Sequence, residues 1–336
     1  MTRHFIALLA VASALLPVSA QPTLPGTGFD VERDDIRTFI DEVSSRNSID
    51  REALSKLIAK AEPQPKIIER MSKPAERVLA WWEYRNRFIT EKRIADGVKF
   101  WQEHREVLER VAAERGVPAE YLVAIMGVET VYGAVTGRDR VLDALATLAF
   151  DYPPRAAFFR GELEQFVLLT REESIDPLTA TGSYAGAMGV PQFMPSSYRR
   201  YAVDGNADRK RDLWVNMDDV VASIANYFRE YGWQTGAPVI TEAYLDPEAP
   251  FVIDTRNLEL NETIQSLNAK GVQVKIGASV ETPAMLVSAE QQDGPAYRVG
   301  FANFQVITKY NRSARYAMAV NDLAQAIAER VNAPQP

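Results

Sequence analysis

Apolar residues recur at helical spacing along most of this 336-residue chain. Downstream of Asp50, a favoured N-cap residue, Leu54, Leu57, Ile58 and Ala61 fall at three- and four-residue intervals and predict an amphipathic helix. Ile94, Val98, Trp101, Leu108 and Ala112 make a second stripe, which Gly116 and Pro118 stop. The run from Tyr121 to Gly133 departs from this amphipathic pattern. Leu122, Ile125 and Met126 share a face with Glu129, while Val123, Ala124 and Val128 make the other faces apolar, as in a fully buried helix. Pro118 suits the first turn of that helix and Gly133 suits its end. From 118 to about 235, helices alternate with loops rich in Gly, Pro and Ser. Between about 237 and 300 the pattern changes to short runs such as Phe251-Val252-Ile253 and Val272 to Ile276, which predict a small β-rich insertion. Val299 to Arg330 returns to helix, with Tyr316, Val320, Leu323 and Ile327 on one face. The prediction is a mainly α fold with a small β-rich insertion.

A hydrophobic content of 46% gives this length enough core for two or three structural units. The first twenty residues read as a secretory leader: Arg3 and His4 at the start, an apolar stretch from Phe5 to Leu16, and the small-residue site Val18-Ser19-Ala20. That stretch is short for a bilayer span, and no second run of spanning length follows; a retained anchor is the alternative. Without the leader, 37 basic residues face 45 acidic ones, a balance that argues against a nucleic-acid partner. The absence of cysteine removes disulfides, thiol catalysis, cysteine-ligated zinc and a lipidated N-terminal Cys. His104 is the one histidine outside the leader, so a Ser-His-Asp triad or a histidine zinc site would rest on it alone.

Three loops and one carboxylate carry candidate chemistry. Glu129 sits in an apolar helix close to its C-terminus, where desolvation and the helix dipole both oppose ionisation and raise its pKa. A carboxyl held protonated near neutral pH is what a general acid requires; pairing with a neighbouring Arg is the alternative. The segment Ser183 to Tyr198 combines glycines with Ser183, Gln192, Phe193 and two tyrosines, a mixture suited to a sugar's hydroxyls and apolar faces. Asp204, Asn206 and Asp208, with the carbonyl of Lys210, imitate the start of a calcium loop. Arg209 stands where glycine is usual and Val215 where the closing Glu belongs, so closure falls to Asp218 or Asp219; a solvated Asx turn is the alternative. Tyr310 and Asn311, before the capping Ser313, either form turn chemistry or bring a phenol and an amide back to a cleft.

Together these segments resemble the B-type lytic murein transglycosylases of bacterial cell walls. The resemblance rests on Gly127-Val128-Glu129-Thr130 with Gly133, Ser183 to Tyr198, Asp212-Leu213-Trp214, Ser223 with Ala225 to Phe228, and Asn303 to Ala319. Trp81 to Arg85 adds an upstream match. It implies a soluble periplasmic enzyme with a lysozyme-like helical catalytic core plus a helical N-terminal domain. The division is a signal peptide (1–20), a linker (21–28), the N-terminal domain (29–116), the core (117–236), a small β-rich domain (237–300) and C-terminal helices completing the core (301–336). The implied reaction cleaves the β-1,4 bond between N-acetylmuramic acid and N-acetylglucosamine, leaving a 1,6-anhydro end, with Glu129 as sole acid and base. Tyr84, Arg155, Ser183, Gln192, Phe193, Tyr227, Tyr310, Asn311 and Tyr316 would line the glycan groove. Arg155 follows Pro153-Pro154 where a second Arg is expected, which weakens a basic contact to the peptide stem. Asp204, Asn206, Asp208, Lys210 and Asp219 would hold a structural calcium ion, with no cofactor required for the chemistry. The partners the resemblance implies are peptidoglycan glycan strands and, as candidates, cell-wall synthesis or remodelling proteins. A muramidase using water, a non-catalytic peptidoglycan-binding scaffold and a helical structural protein are the competing readings.

Overall fold

The computed structural model describes residues 28–72, 79–249, 257–275 and 279–333. The leader, most of the linker, the run Phe251 to Ile253, and Ile276 lie outside the described residues. The first part of the chain builds α1 (Asp34–Asn47), α2 (Arg51–Ile58), α3 (Pro65–Ser72), α4 (Trp81–Phe88), α5 (Glu91–Glu103) and α6 (Arg105–Arg115). Asp50 caps α2 by accepting the Ala53 N–H at 2.7 Å, and Leu54, Ile58 and Ala61 are buried beneath it. The second apolar stripe is divided at His104, whose backbone (φ −117°, ψ 23°) leaves the helical region between α5 and α6. Trp101 and Leu108 keep their two-turn spacing across the break, so periodicity alone did not reveal it.

The buried helix α7 (Ala119–Thr130) follows, with Tyr121 through Val128 all removed from solvent. Because its apolar residues cover every face, it packs on all sides: against α5, α6, α11 (Met217–Glu230) and above all α14 (Ala314–Asn332). Around it lie α8 (Val141–Phe150), α9 (Ala156–Glu172) and α10 (Pro195–Tyr201). Two short strands, β1 (Asp139–Arg140) and β2 (Thr181–Gly182), pair antiparallel at the base of the Ser183 loop. One apolar core runs from Phe29 to Ile327 and includes residues on both sides of Gly116.

The insertion is a five-stranded antiparallel sheet in the order β4 (Glu262–Thr263), β6 (Pro283–Ser288), β7 (Tyr297–Gly300), β3 (Ile240–Leu245), β5 (Val272–Val274). Its own small core gathers Ile264 and Leu267 of α12 (Ile264–Ala269) with Val272, Ala284, Leu286, Val299 and Phe301. Val299 therefore belongs to a strand, paired with Thr241 and Leu286, and the return to helix comes at α13 (Ala302–Tyr310). The reason is local: Val299 is β-branched and buried in the sheet core, and Gly300 leaves room for Phe304, whose ring would lie 2.5 Å from an added Cβ. Asn311 is extended (φ −143°, ψ 122°), and the Ser313 hydroxyl then caps α14 by accepting the Tyr316 N–H at 3.3 Å.

Candidate active site

Glu129 is the penultimate residue of α7, and the docking of α14 on that helix decides what it meets. The Tyr316 hydroxyl, on the first turn of α14, donates to Glu129 Oε1 at 2.6 Å. Glu129 is half-buried, while Tyr316 is buried. Desolvation pushes the Glu129 carboxyl up to about 7, against the pull of the Tyr316 hydrogen bond, which favours the ionised form. Among the described residues no Lys or Arg forms an ion pair with it, and no second carboxylate perturbs it.

Three tyrosines surround this carboxyl. Tyr84 of α4, Tyr310 of α13 and Tyr316 all have hydroxyls held above their ordinary range, first by burial and next by the nearby Glu129 charge. The Tyr310 hydroxyl donates to the Pro191 carbonyl at 2.7 Å. Its ring lies 6.5 Å from Tyr316, 5.8 Å from Phe193 and 4.8 Å from Tyr227. Tyr227 donates to the Lys309 carbonyl at 2.7 Å. Phe193 and Tyr227 are only 2% and 6% exposed, so they back the site and do not present open faces to a ligand. Arg315, which the sequence reading passed over, lies 6.0 Å above the Tyr84 ring and donates to the Leu79 carbonyl. It also borders a cavity of about 420 Å³ shared with Trp81, Ser288, Glu290 and Arg312. Nothing in its local sequence distinguishes it from a surface arginine.

The Ser183 loop is self-bracing. Ser183 Oγ accepts the N–H groups of Ala187 (3.0 Å) and Ala185 (3.3 Å). Met188 and Phe193 exchange backbone hydrogen bonds of 2.9 and 3.1 Å. Gln192, in the left-handed region at φ 52°, donates from Nε2 to the carbonyls of Thr136 (3.0 Å) and Gly189 (2.9 Å). The loop is fastened to α7 by Thr130 Oγ1, which donates to Val190 O at 3.0 Å. Asn311 is exposed beside Tyr310. Arg155 sits apart on the 3-10 turn Pro153–Arg155, with its guanidinium 4.5 Å from the Phe158 ring, and among the described residues no contact links it to the Glu129 cluster.

Helix α7 ends earlier than Gly133. Val131 (φ 53°), Tyr132 (φ 59°) and Gly133 (φ 86°) are three consecutive left-handed residues. For a β-branched and an aromatic residue this conformation costs about 1–3 kcal/mol each. It persists because the Val131 and Tyr132 N–H groups both reach Met126 O, and Gly133 N–H reaches Thr130 Oγ1 at 3.1 Å.

In the acidic loop, Asp204 accepts the N–H groups of Asp208 (3.1 Å) and Arg209 (2.7 Å), Asn206 accepts that of Asp208 (3.1 Å), and Asp208 accepts that of Lys210 (2.9 Å). Asp219 is fully buried and accepts the N–H groups of Gly205 and Asp212, both at 2.7 Å. Asp218 instead pairs with Arg110 at 2.6 Å, which leaves Asp219 as the acid turned into the loop. Burial raises the Asp219 carboxyl, and the charges of Asp204 and Asp208 add to that rise. These acids thus face one another closely enough to repel, which suits a cation. Among the described residues, however, no three His, Cys, Asp or Glu groups converge as metal ligands.

The structure thus sets Glu129 in a helical core under a tyrosine cluster, with a small antiparallel sheet inserted before the last helices. Residues 32–325 match the transglycosylase SLT domain family, and the chain belongs to it. Over 299 residues it is 40% identical to the membrane-bound lytic murein transglycosylase B of Escherichia coli strain K12, spanning 86% of this chain and 81% of that protein. The catenated lytic transglycosylase SltB1 of Pseudomonas aeruginosa superposes with a TM-score of 0.86 at 45% identity, covering 89% of this chain and 98% of that one. The Escherichia coli lytic transglycosylase Slt35 in complex with calcium gives 0.82 at 39% identity, covering 90% and 96%. SltB3 of Pseudomonas aeruginosa in complex with NAG-anhNAM-pentapeptide gives 0.77 at 30% identity, covering 90% and 80%.

Proposed function

We propose that in this chain, a lytic murein transglycosylase, Glu129 alone carries both proton transfers of glycan cleavage. The observation that carries the reading is a half-buried carboxyl raised to about 7, hydrogen-bonded to Tyr316, with no second carboxylate acting on it among the described residues. Protonated Glu129 donates to the glycosidic oxygen between N-acetylmuramic acid and N-acetylglucosamine as that bond breaks. The oxocarbenium-like centre at C1 is stabilised by the substrate's own acetamido oxygen, as in substrate-assisted glycosidases. Ionised Glu129 then removes the proton of the muramyl 6-hydroxyl as its oxygen bonds to C1. The 1,6-anhydro ring closes, Glu129 returns to its starting state, and no water is consumed. Tyr316 both orients the carboxyl and stabilises its anion between the two steps, while the apolar walls keep water from competing. The bound NAG-anhNAM-pentapeptide of SltB3 is consistent with this product.

In this reading Tyr84, Ser183, Gln192, Tyr310, Asn311 and Tyr316 line the glycan groove, Phe193 and Tyr227 support it from behind, and Arg155 contacts a more distant part of the substrate. Residues 117–236 act as the catalytic core that the segment from 301 completes. Asp204, Asn206, Asp208, the Lys210 carbonyl and Asp219 would hold calcium, as Slt35 does in its calcium complex, and the ion would brace the loop without entering the chemistry. The enzyme works on peptidoglycan in the periplasm, alongside cell-wall synthesis or remodelling proteins. Among the described residues no helix is long and apolar enough to cross a membrane. The test is Glu129→Gln. Turnover of purified peptidoglycan should fall at least about 10³-fold, because one residue performs two proton transfers, while glycan binding persists. Substantial residual cleavage would refute the assignment.

A further inference from the structure

The left-handed turn after Glu129 is held from outside the catalytic helix. The Tyr132 ring leaves α7 and enters the space between α7 and α5, where it lies 5.7 Å from the Phe100 ring. Two glycines make that space. An added Cβ at Gly127 would sit 2.8 Å from the Tyr132 ring, and one at Gly97 would sit 2.5 Å from its hydroxyl. The Tyr132 hydroxyl donates to the Arg93 carbonyl at 2.7 Å. Arg93 in turn extends its guanidinium to the Gly127 carbonyl at 2.5 Å, satisfying an acceptor in the last turn of α7. A closed path thus runs along the backbone from Gly127 through Glu129 to Tyr132, across the hydrogen bond to Arg93, and through the Arg93 guanidinium back to Gly127. Glu129 is enclosed in a hydrogen-bonded ring that one helix of the N-terminal segment closes.

We propose that Tyr132 is a positioning residue for Glu129. It clamps the last turn of α7 against Arg93, so that the carboxyl is presented to the Tyr316 hydroxyl and the turn does not open to water. This explains why a Val and a Tyr occupy consecutive left-handed positions where glycine or asparagine would be easier. Tyr132 need not touch substrate. Its effect is on how Glu129 is held and hydrated, and through that on the proton transfers. The proposal rests on Glu129 being the acid and base.

The test compares Tyr132→Phe and Gly97→Ala with the wild-type chain on a soluble glycan fragment, measuring kcat, KM and the pH profile. Tyr132→Phe removes only the bond to Arg93, whereas Gly97→Ala pushes both on the same hydroxyl and on Ile327 of α14, so Tyr132→Phe is the deciding variant. Both should lower kcat about tenfold with KM within twofold, and should move the alkaline limb to lower pH as water reaches the carboxyl. Ile58→Val, in the distant N-terminal core, serves as the control for general loosening and should leave kcat and the pH profile unchanged. Wild-type kcat and pH profile in a folded Tyr132→Phe protein would overturn the proposal. So would an equal kcat loss in Ile58→Val. If Glu129→Gln is inactive while Tyr132→Phe is normal, the positioning role alone fails. If Glu129→Gln is active, the assignment beneath it fails first.

Discussion

Replacing Glu129 by Gln should make the protein more stable at alkaline pH and leave it nearly unchanged at acid pH. The carboxyl has an ordinary pKa of 4.5 when the chain is unfolded and is pushed up to about 7 in the fold. Between those values the folded protein retains a proton that the unfolded chain has released. Stability therefore falls as pH rises through this window and levels off above about 7. At 1.36 kcal/mol for each pH unit the interval amounts to about 3 kcal/mol. Because Glu129 is open to the cleft on one side, about 2–3 kcal/mol is the better expectation. A glutamine of the same shape carries no charge to desolvate and keeps an oxygen for Tyr316. Denaturant unfolding of both proteins at pH 5 and pH 8.5 measures the difference. It should be within about 0.5 kcal/mol at pH 5 and should grow by about 2–3 kcal/mol at pH 8.5, about 3–5 °C in Tm for a chain of this length. Parallel pH dependences would show that Glu129 titrates normally, and the acid role would fall with that result.

Two further outcomes follow from the same geometry. Tyr316→Phe keeps the ring contact with Tyr310 but removes the bond that lowers the Glu129 pKa. The alkaline limb of the pH–rate profile should move up while kcat falls about tenfold or more, since a hydrogen bond to a charged group is worth about 1.5–3 kcal/mol; an unshifted limb would contradict the assignment. Calcium at millimolar concentration should raise the Tm of the wild-type protein and not of Asp208→Asn, without changing kcat at a temperature where both are folded; a Tm indifferent to calcium and to chelator would remove the ion from the account.

The helical framework was legible because the core is written in helical spacing. Asp50 caps where its side chain predicts, and Leu54, Ile58, Val320, Leu323 and Ile327 are buried on the faces their spacing marks. Glu129 was legible for a related reason: a charge stands out against an apolar helix, and its desolvation follows from its neighbours. Tyr310, Tyr316 and Tyr84 were reached through resemblance, since no local pattern says that three distant tyrosines meet one carboxyl. Tyr227 came with them, while Phe193 stood out in its own segment as a face for a sugar; tertiary packing turned both rings inward. What stayed hidden depends on backbone geometry between segments. The break at His104 preserves hydrophobic phase, so it leaves no mark in periodicity. Gly133 predicts the end of α7, because glycine signals a left-handed cap. Instead Val131 and Tyr132 take that conformation first, under the hold of Arg93 and two glycines. The pair Gly97 and Gly127 was visible in the sequence, but only the meeting of α5 and α7 shows that both make way for one ring.

The most direct test of the central claim is mass spectrometry of the muropeptides that the wild-type protein releases from purified peptidoglycan. With Glu129 as sole acid and base and the muramyl 6-hydroxyl as nucleophile, the products end in 1,6-anhydromuramic acid, each one water lighter than a hydrolysis product. Reducing ends as the main products would contradict the account, because water would then be the nucleophile.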